Sequence, residues 1–223
     1  MVVDTATVPR SARTPDRWGA GFALSFIVLL LGTEGAAALP DVGDSAPVVA
    51  AFYSAHRGFI ITLQLLGLTG AVMLGAYGWR LRAVDRLVGG IGMVVAVCAV
   101  TPGLLTLVLA LVANPAAPGR AGTWNGLIPW GDDLLFLGIV AFGAAVAWRL
   151  GRRLPALGVL GAVVSLACLS RLLLEAMGRP RGPLESIGPL SFVVLVAVMA
   201  VLSFLGVLPR SGAAGGGSGP AAG

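Results

Sequence analysis

Six long apolar runs dominate the chain: about Trp18–Leu39, Phe52–Trp79, Leu87–Val112, Ile128–Trp148, Pro155–Met177 and Ile187–Leu208. A bilayer core about 30 Å thick is crossed by roughly 20 apolar residues rising 1.5 Å each, and each run meets that length. In hydrocarbon every backbone N–H and C=O must be satisfied within the segment, so runs of this kind fold as helices. The expected fold class is therefore all-α, a polytopic transmembrane bundle of six helices. Composition agrees: 57% of the 223 residues are hydrophobic and 11% charged, with a mean hydropathy of +0.93. Too few polar residues remain to cover a water-facing globule, and a disordered chain is excluded as well.

The domain organisation expected is a basic tail over residues 1–17, a transmembrane domain over 18–208, and a Gly/Ala-rich flexible tail over 209–223. No connecting stretch exceeds about 16 residues, which predicts loops rather than a folded extramembrane domain. A signal-peptide reading of the first run would place cleavage at Gly35-Ala36-Ala37-Ala38. The length of that run and its place in a polytopic chain favour an uncleaved helix.

All 15 basic residues are Arg. Nucleic-acid binding needs them clustered on one face, whereas these fall in short groups between apolar runs. That is a topology signal. Arg10, Arg13, Arg17, Arg80, Arg82, Arg86, Arg149, Arg152, Arg153 and Arg210 lie on one side; Arg120, Arg179 and Arg181 lie on the other, with Asp41, Asp44 and Glu185. The bias predicts both termini in the cytoplasm of a bacterial cell, the chain being multi-pass in its cytoplasmic membrane. Trp18, Trp79 and Trp148 sit at Arg-flanked ends of runs, as an interfacial aromatic belt requires.

Charge within a span costs about 2.5–3.5 kcal/mol at the membrane centre, so the depth of polar groups is the main functional signal. Glu34 lies 16 residues from Trp18, Arg171 lies 16 from Pro155, Gln64 lies 15 from Trp79, and Asp133 lies 15 from Trp148. At 1.5 Å per residue all four fall about 22–24 Å from the inner face. Asp132 is one step further out, with His56, Arg57 and Glu175 just above. These eight residues are the candidate pocket for a ligand or an ion.

Two readings compete. In one the layer opens outward and takes an anionic lipid, a small metabolite or an ion. Arg57 and Arg171 would grip an anion, or the excess of carboxylates would hold a proton or cation. In the other the charges are structural: Asp132 and Asp133 cap a helix, Arg171 and Glu175 pair at i,i+4, Glu34 pairs with an Arg, and His56 and Arg57 reach the interface. Adjacent Asp132 and Asp133 point about 100° apart on a helix and do not form a carboxylate dyad.

Thr101-Pro102-Gly103 marks a kink or tolerated break in the third run. The small-residue runs Gly89, Gly90, Gly92, Ala96 and Gly158, Gly161, Ser165 allow close helix contact, within the chain or with a membrane protein partner. Cys98 and Cys168 read as buried small hydrophobes. One histidine, two cysteines and the lack of zinc, nucleophile-elbow or phosphate-loop motifs predict no cofactor and weigh against an enzyme.

From Asp41 to Arg82 one further pattern stands out. An acidic loop precedes Val48-Val49-Ala50-Ala51-Phe52-Tyr53-Ser54-Ala55-His56-Arg57-Gly58, and a long apolar helix then ends at Trp79-Arg80-Leu81-Arg82. This stretch, about one fifth of the chain, resembles a family of multi-pass membrane proteins of unknown function found largely in actinobacteria. The resemblance implies a six-helix bundle and marks His56-Arg57 as a feature. It implies no activity.

Overall fold

The computed structural model describes residues 15–33, 36, 39–41, 43–179 and 183–208. Glu34 and nearly all of both expected tails lie outside the described residues. Within them the chain is all-α, with eight helices: α1 (Arg17–Thr33), α2 (Ala46–Ala55), α3 (Arg57–Leu81), α4 (Arg86–Val112), α5 (Gly119–Asn125), α6 (Ile128–Arg149), α7 (Pro155–Ala176) and α8 (Leu184–Phe204).

Five segments are long and apolar enough to cross a membrane: Arg57–Leu81, Arg86–Val112, Gly119–Arg149, Pro155–Ala176 and Ser186–Phe204. Within the expected first span, α1 is a shorter apolar helix, its 17 described residues reaching about 25 Å at 1.5 Å each. Side chains such as Val28, Val97, Val159 and Leu166 stand more than half exposed. An outer surface this apolar suits hydrocarbon and not water.

Six of the helices close into a ring in chain order: α1 packs on α3, α3 on α4, α4 on α6, α6 on α7, α7 on α8, and α8 back on α1. Phe192 joins Phe26 and Phe142 edge-to-face inside it, at centroid separations of 6.2 and 5.9 Å. Tyr77, Leu195 and Met199 fill the same interior.

Small residues set how closely the walls approach. A Cβ on Gly143 would lie 2.7 Å from the Gly161 carbonyl oxygen, and one on Gly161 would lie 2.6 Å from that of Gly143. At the α3–α4 contact a Cβ on Gly78 would meet the Met93 nitrogen at 2.8 Å. The small-residue runs read from the sequence are thus largely taken up between helices of this chain, although Gly90 faces open space.

One sequence expectation needs correction. The apolar run starting at Phe52 is not one helix: it breaks at His56, and α2 stands apart from α3. Together with α5, α2 builds a second apolar cluster over one end of the ring, from Val49, Ala50, Tyr53, Leu109, Ala113 and Ala121. Stretches expected to be simple loops therefore carry a small packed cap. Asn125 ties it down, its side-chain N–H donating to the Asp41 carbonyl at 3.1 Å. Burial pushes the Tyr53 hydroxyl up to about 12.

At the opposite end, Asp16 and Asp85 each join a helix start to the end of another helix. Asp16 accepts from the Gly19 N–H at 3.0 Å and pairs with Arg80 at 2.8 Å. Asp85 accepts from the Leu87 and Val88 N–H groups at 2.9 and 3.1 Å, capping α4, and pairs with Arg149 at 2.9 Å. Arg80 and Arg149 occupy the last turns of α3 and α6, where cations complement the helix dipole. Desolvation alone would raise the Asp85 carboxyl. The Val88 N–H, Arg149 and the Leu87 N–H outweigh it and hold the group below the usual carboxylate range.

Candidate functional site

The polar residues expected at one depth separate into three places. The first is a cavity of about 300 Å³ between α1, α3, α4 and α6. Gln64 from α3 and Asp132 from α6 both line it, with Thr33 and Thr106. The rest of its wall is hydrocarbon, chiefly Phe26, Leu30, Ile60, Leu63, Leu68 and Leu135. Phe26 belongs both to the aromatic interior and to the cavity wall, so the packed core and the open space share a boundary.

Backbone economy makes the room. Gly67 and Gly103 face the cavity where larger residues would fill it. A Cβ on Gly67 would meet nothing within 4 Å, whereas one on Gly103 would lie 3.5 Å from Gln64 Oε1. Pro102 also lines the cavity, and α4 continues through it. Gly131 of α6 lets that helix approach the Pro102 backbone, where a Cβ would come within 3.1 Å. The Thr101-Pro102-Gly103 signal thus lies on the cavity wall.

The second place is the α6–α7 contact. Arg171 is only 2% exposed, and its Nη1 lies 3.0 Å from Asp133 Oδ1 and 3.4 Å from a Glu175 carboxylate oxygen. Its guanidinium carbon stands 3.8 Å from the centroid of the Phe136 ring. This is a buried cation held by two carboxylates and an aromatic face, and none of the three charged residues lines the cavity. Asp132 lines the cavity while Asp133 meets Arg171, in keeping with the roughly 100° between neighbours on a helix. Neither lies in the first turn of α6, and the cap position, Leu127, makes no side-chain hydrogen bond. The expected capping role is corrected accordingly. The i,i+4 pairing of Arg171 with Glu175 is present.

The third place is the junction of α2 and α3. Arg57 donates from Nη2 to the Ala113 carbonyl at 2.7 Å, satisfying a backbone acceptor just beyond the end of α4. His56 Nδ1 lies 3.0 Å from the Phe52 carbonyl, and its ring is 4.6 Å from that of Phe52. Both residues are exposed, and they join the cap to the ring rather than entering the cavity. Glu34, the remaining candidate, lies outside the described residues.

Sequence reasoning missed Thr106, Phe136 and the capping acids Asp16 and Asp85. The last two had a legible signal, an acidic residue one position before an apolar helix. No protein-family model matches the chain, and neither a curated protein nor a solved structure matches it.

Proposed function

We propose that this chain is a six-span protein of a bacterial cytoplasmic membrane, both termini inside, that holds a small amphiphilic molecule in the cavity between α1, α3, α4 and α6. The observation that carries the reading is the cavity itself, about 300 Å³ with Gln64 and Asp132 on an otherwise largely apolar wall. Ligand sites in proteins are of this kind: concave, mostly apolar, with a few placed polar groups, from about 300 Å³ upward. The Arg bias supports the orientation, which puts the cavity toward the outer leaflet. Kinship with the actinobacterial family belongs to the same proposal and rests on the residues from Val48 to Gly58 and from Trp79 to Arg82.

A purely structural role, docking partner helices, draws less support. The close-packing glycines of α3, α4, α6 and α7 already serve contacts within the chain. Native mass spectrometry of protein extracted in mild detergent separates the readings. Wild type should carry a defined extra mass. Gly67→Leu, which extends a side chain into the cavity, should lose it, and Gly90→Leu on another face should keep it. A bare wild-type chain would refute the proposal.

A further inference from the structure

We infer that the groove at the α3–α4 turn binds the headgroup phosphate of an anionic phospholipid, in the leaflet at the Arg-rich end of the ring. The site is separate from the cavity between α1, α3, α4 and α6. It is an open groove of about 540 Å³ lined by Trp79, Arg82, Ala83 and Arg86. Arg82 follows the last residue of α3, and Arg86 opens α4. Both are exposed, and neither has an ion pair among the described residues. The acids at this end are committed to other groups: Asp16 to Arg80, and Asp85 to Arg149 and the first amides of α4. Among the described residues no carboxylate lines the groove, so two positive charges stand together there.

The local structure holds this pair in place. The Val84 and Asp85 N–H groups both donate to the Leu81 carbonyl at 2.9 Å and close the turn. Gly89 lets the turn lie on α4, since a Cβ there would come within 2.6 Å of Arg82 Cγ. The Arg82 guanidinium carbon stands 4.8 Å from the centroid of the Trp79 ring. A guanidinium resting on an aromatic face keeps its N–H fork, which lies in its own plane, for a phosphate. Two observations favour a lipid over a soluble phosphate. Trp79 is 60% exposed at the end of a span, where interfacial aromatic side chains meet headgroups. Beyond the groove, Leu87, Val94 and Val97 are exposed along one face of α4, with Gly90 open between them, a track for an acyl chain. A zwitterionic headgroup would bring its own cation against the two arginines, whereas an anionic one would not.

The test is native mass spectrometry of the full chain in mild detergent, titrated with dioleoylphosphatidylglycerol or with dioleoylphosphatidylcholine, which share their acyl chains. Wild type should bind the first phosphatidylglycerol at least about fivefold more tightly. Arg82→Gln/Arg86→Gln should erase that preference. Arg152→Gln/Arg153→Gln removes the same charge from exposed arginines outside the groove and should keep it. Equal affinity of wild type for the two lipids would overturn the inference, as would equal losses in the two double variants, which would mean net charge without a site. Displacement of phosphatidylglycerol by excess glycerol 3-phosphate would overturn the lipid assignment in favour of a soluble phosphate. Should the first double variant not fold, Arg86→Gln alone decides: it should narrow the preference, and an unchanged preference would sink the site. Gly67→Leu should leave the preference intact, so this site and the cavity reading fail separately.

Discussion

Replacing Arg171 by Met tests whether the α6–α7 charge cluster is structural. Arg171 is 2% exposed, and its guanidinium holds Asp133 at 3.0 Å and Glu175 at 3.4 Å. Removing one partner of a buried ion pair costs about 3–5 kcal/mol, because the remaining charge is left without compensation. The carboxylates are 34% and 22% exposed, which places the expected loss at the lower end, about 3 kcal/mol. The contact with Phe136 is replaced in part by a thioether–aromatic contact. At about 2–4 °C per kcal/mol for a chain of this size, the unfolding midpoint in detergent should fall by about 6–12 °C. The triple variant Arg171→Met/Asp133→Leu/Glu175→Leu removes the cost together with its cause and should recover most of that loss, since apolar replacement of a buried cluster is often neutral. It should also retain the cavity ligand. A single variant as stable as wild type, or a triple variant no better than the single, would refute the reasoning.

Asp85→Ala removes a helix cap as well as an ion pair and should cost about 1–2 kcal/mol, against about 0.5 kcal/mol for Arg149→Ala, measured by thermal unfolding. The folded Asp85 carboxyl is depressed, so its stabilisation is present above the unfolded value near pH 4 and is lost as pH falls through the folded value. The difference between wild type and Asp85→Ala should shrink below about pH 4, and an unchanged difference would contradict the linkage. Gly161→Val drives a side chain into the Gly143 backbone and should cost about 3 kcal/mol or prevent folding, while Gly90→Leu should be nearly neutral; similar yields of folded protein from both would count against the close packing. Single cysteines replacing Asp44 and Ala116 should react with an impermeant thiol reagent added outside cells, and those replacing Arg82 and Arg152 should not. The reverse pattern would invert the topology.

Spans were legible because apolar length and flanking Arg and Trp act locally along the chain. From Leu87 to Val112 the sequence reading and α4 differ by a single residue. Relative level was legible for one pair, since a fixed rise per residue brings Asp133 level with Arg171, and the two are in contact. Facing was not legible. In a helix apolar on nearly every side, periodicity does not say which neighbour a polar group meets, so Gln64 and Arg171 read as one layer although they lie in separate places. The α2–α5 cap was hidden for a related reason. Val48 to Ala55 is as apolar as the span that follows, and only the backbone break at His56 divides them.

The two ion pairs at the Arg-rich end carry a consequence for biogenesis. Asp16 and Arg80 are 64 residues apart, as are Asp85 and Arg149, and in each pair the acid is synthesised first. Each acid emerges long before its partner, so neither pair forms until the helix that carries its arginine has been made. In the proposed orientation Arg80 and Arg149 therefore serve twice. During insertion they belong to the arginine groups that hold their loops in the cytoplasm. Once the ring closes they are neutralised latches, so a substitution there would disturb first the direction in which the chain threads and then the stability of what has been threaded.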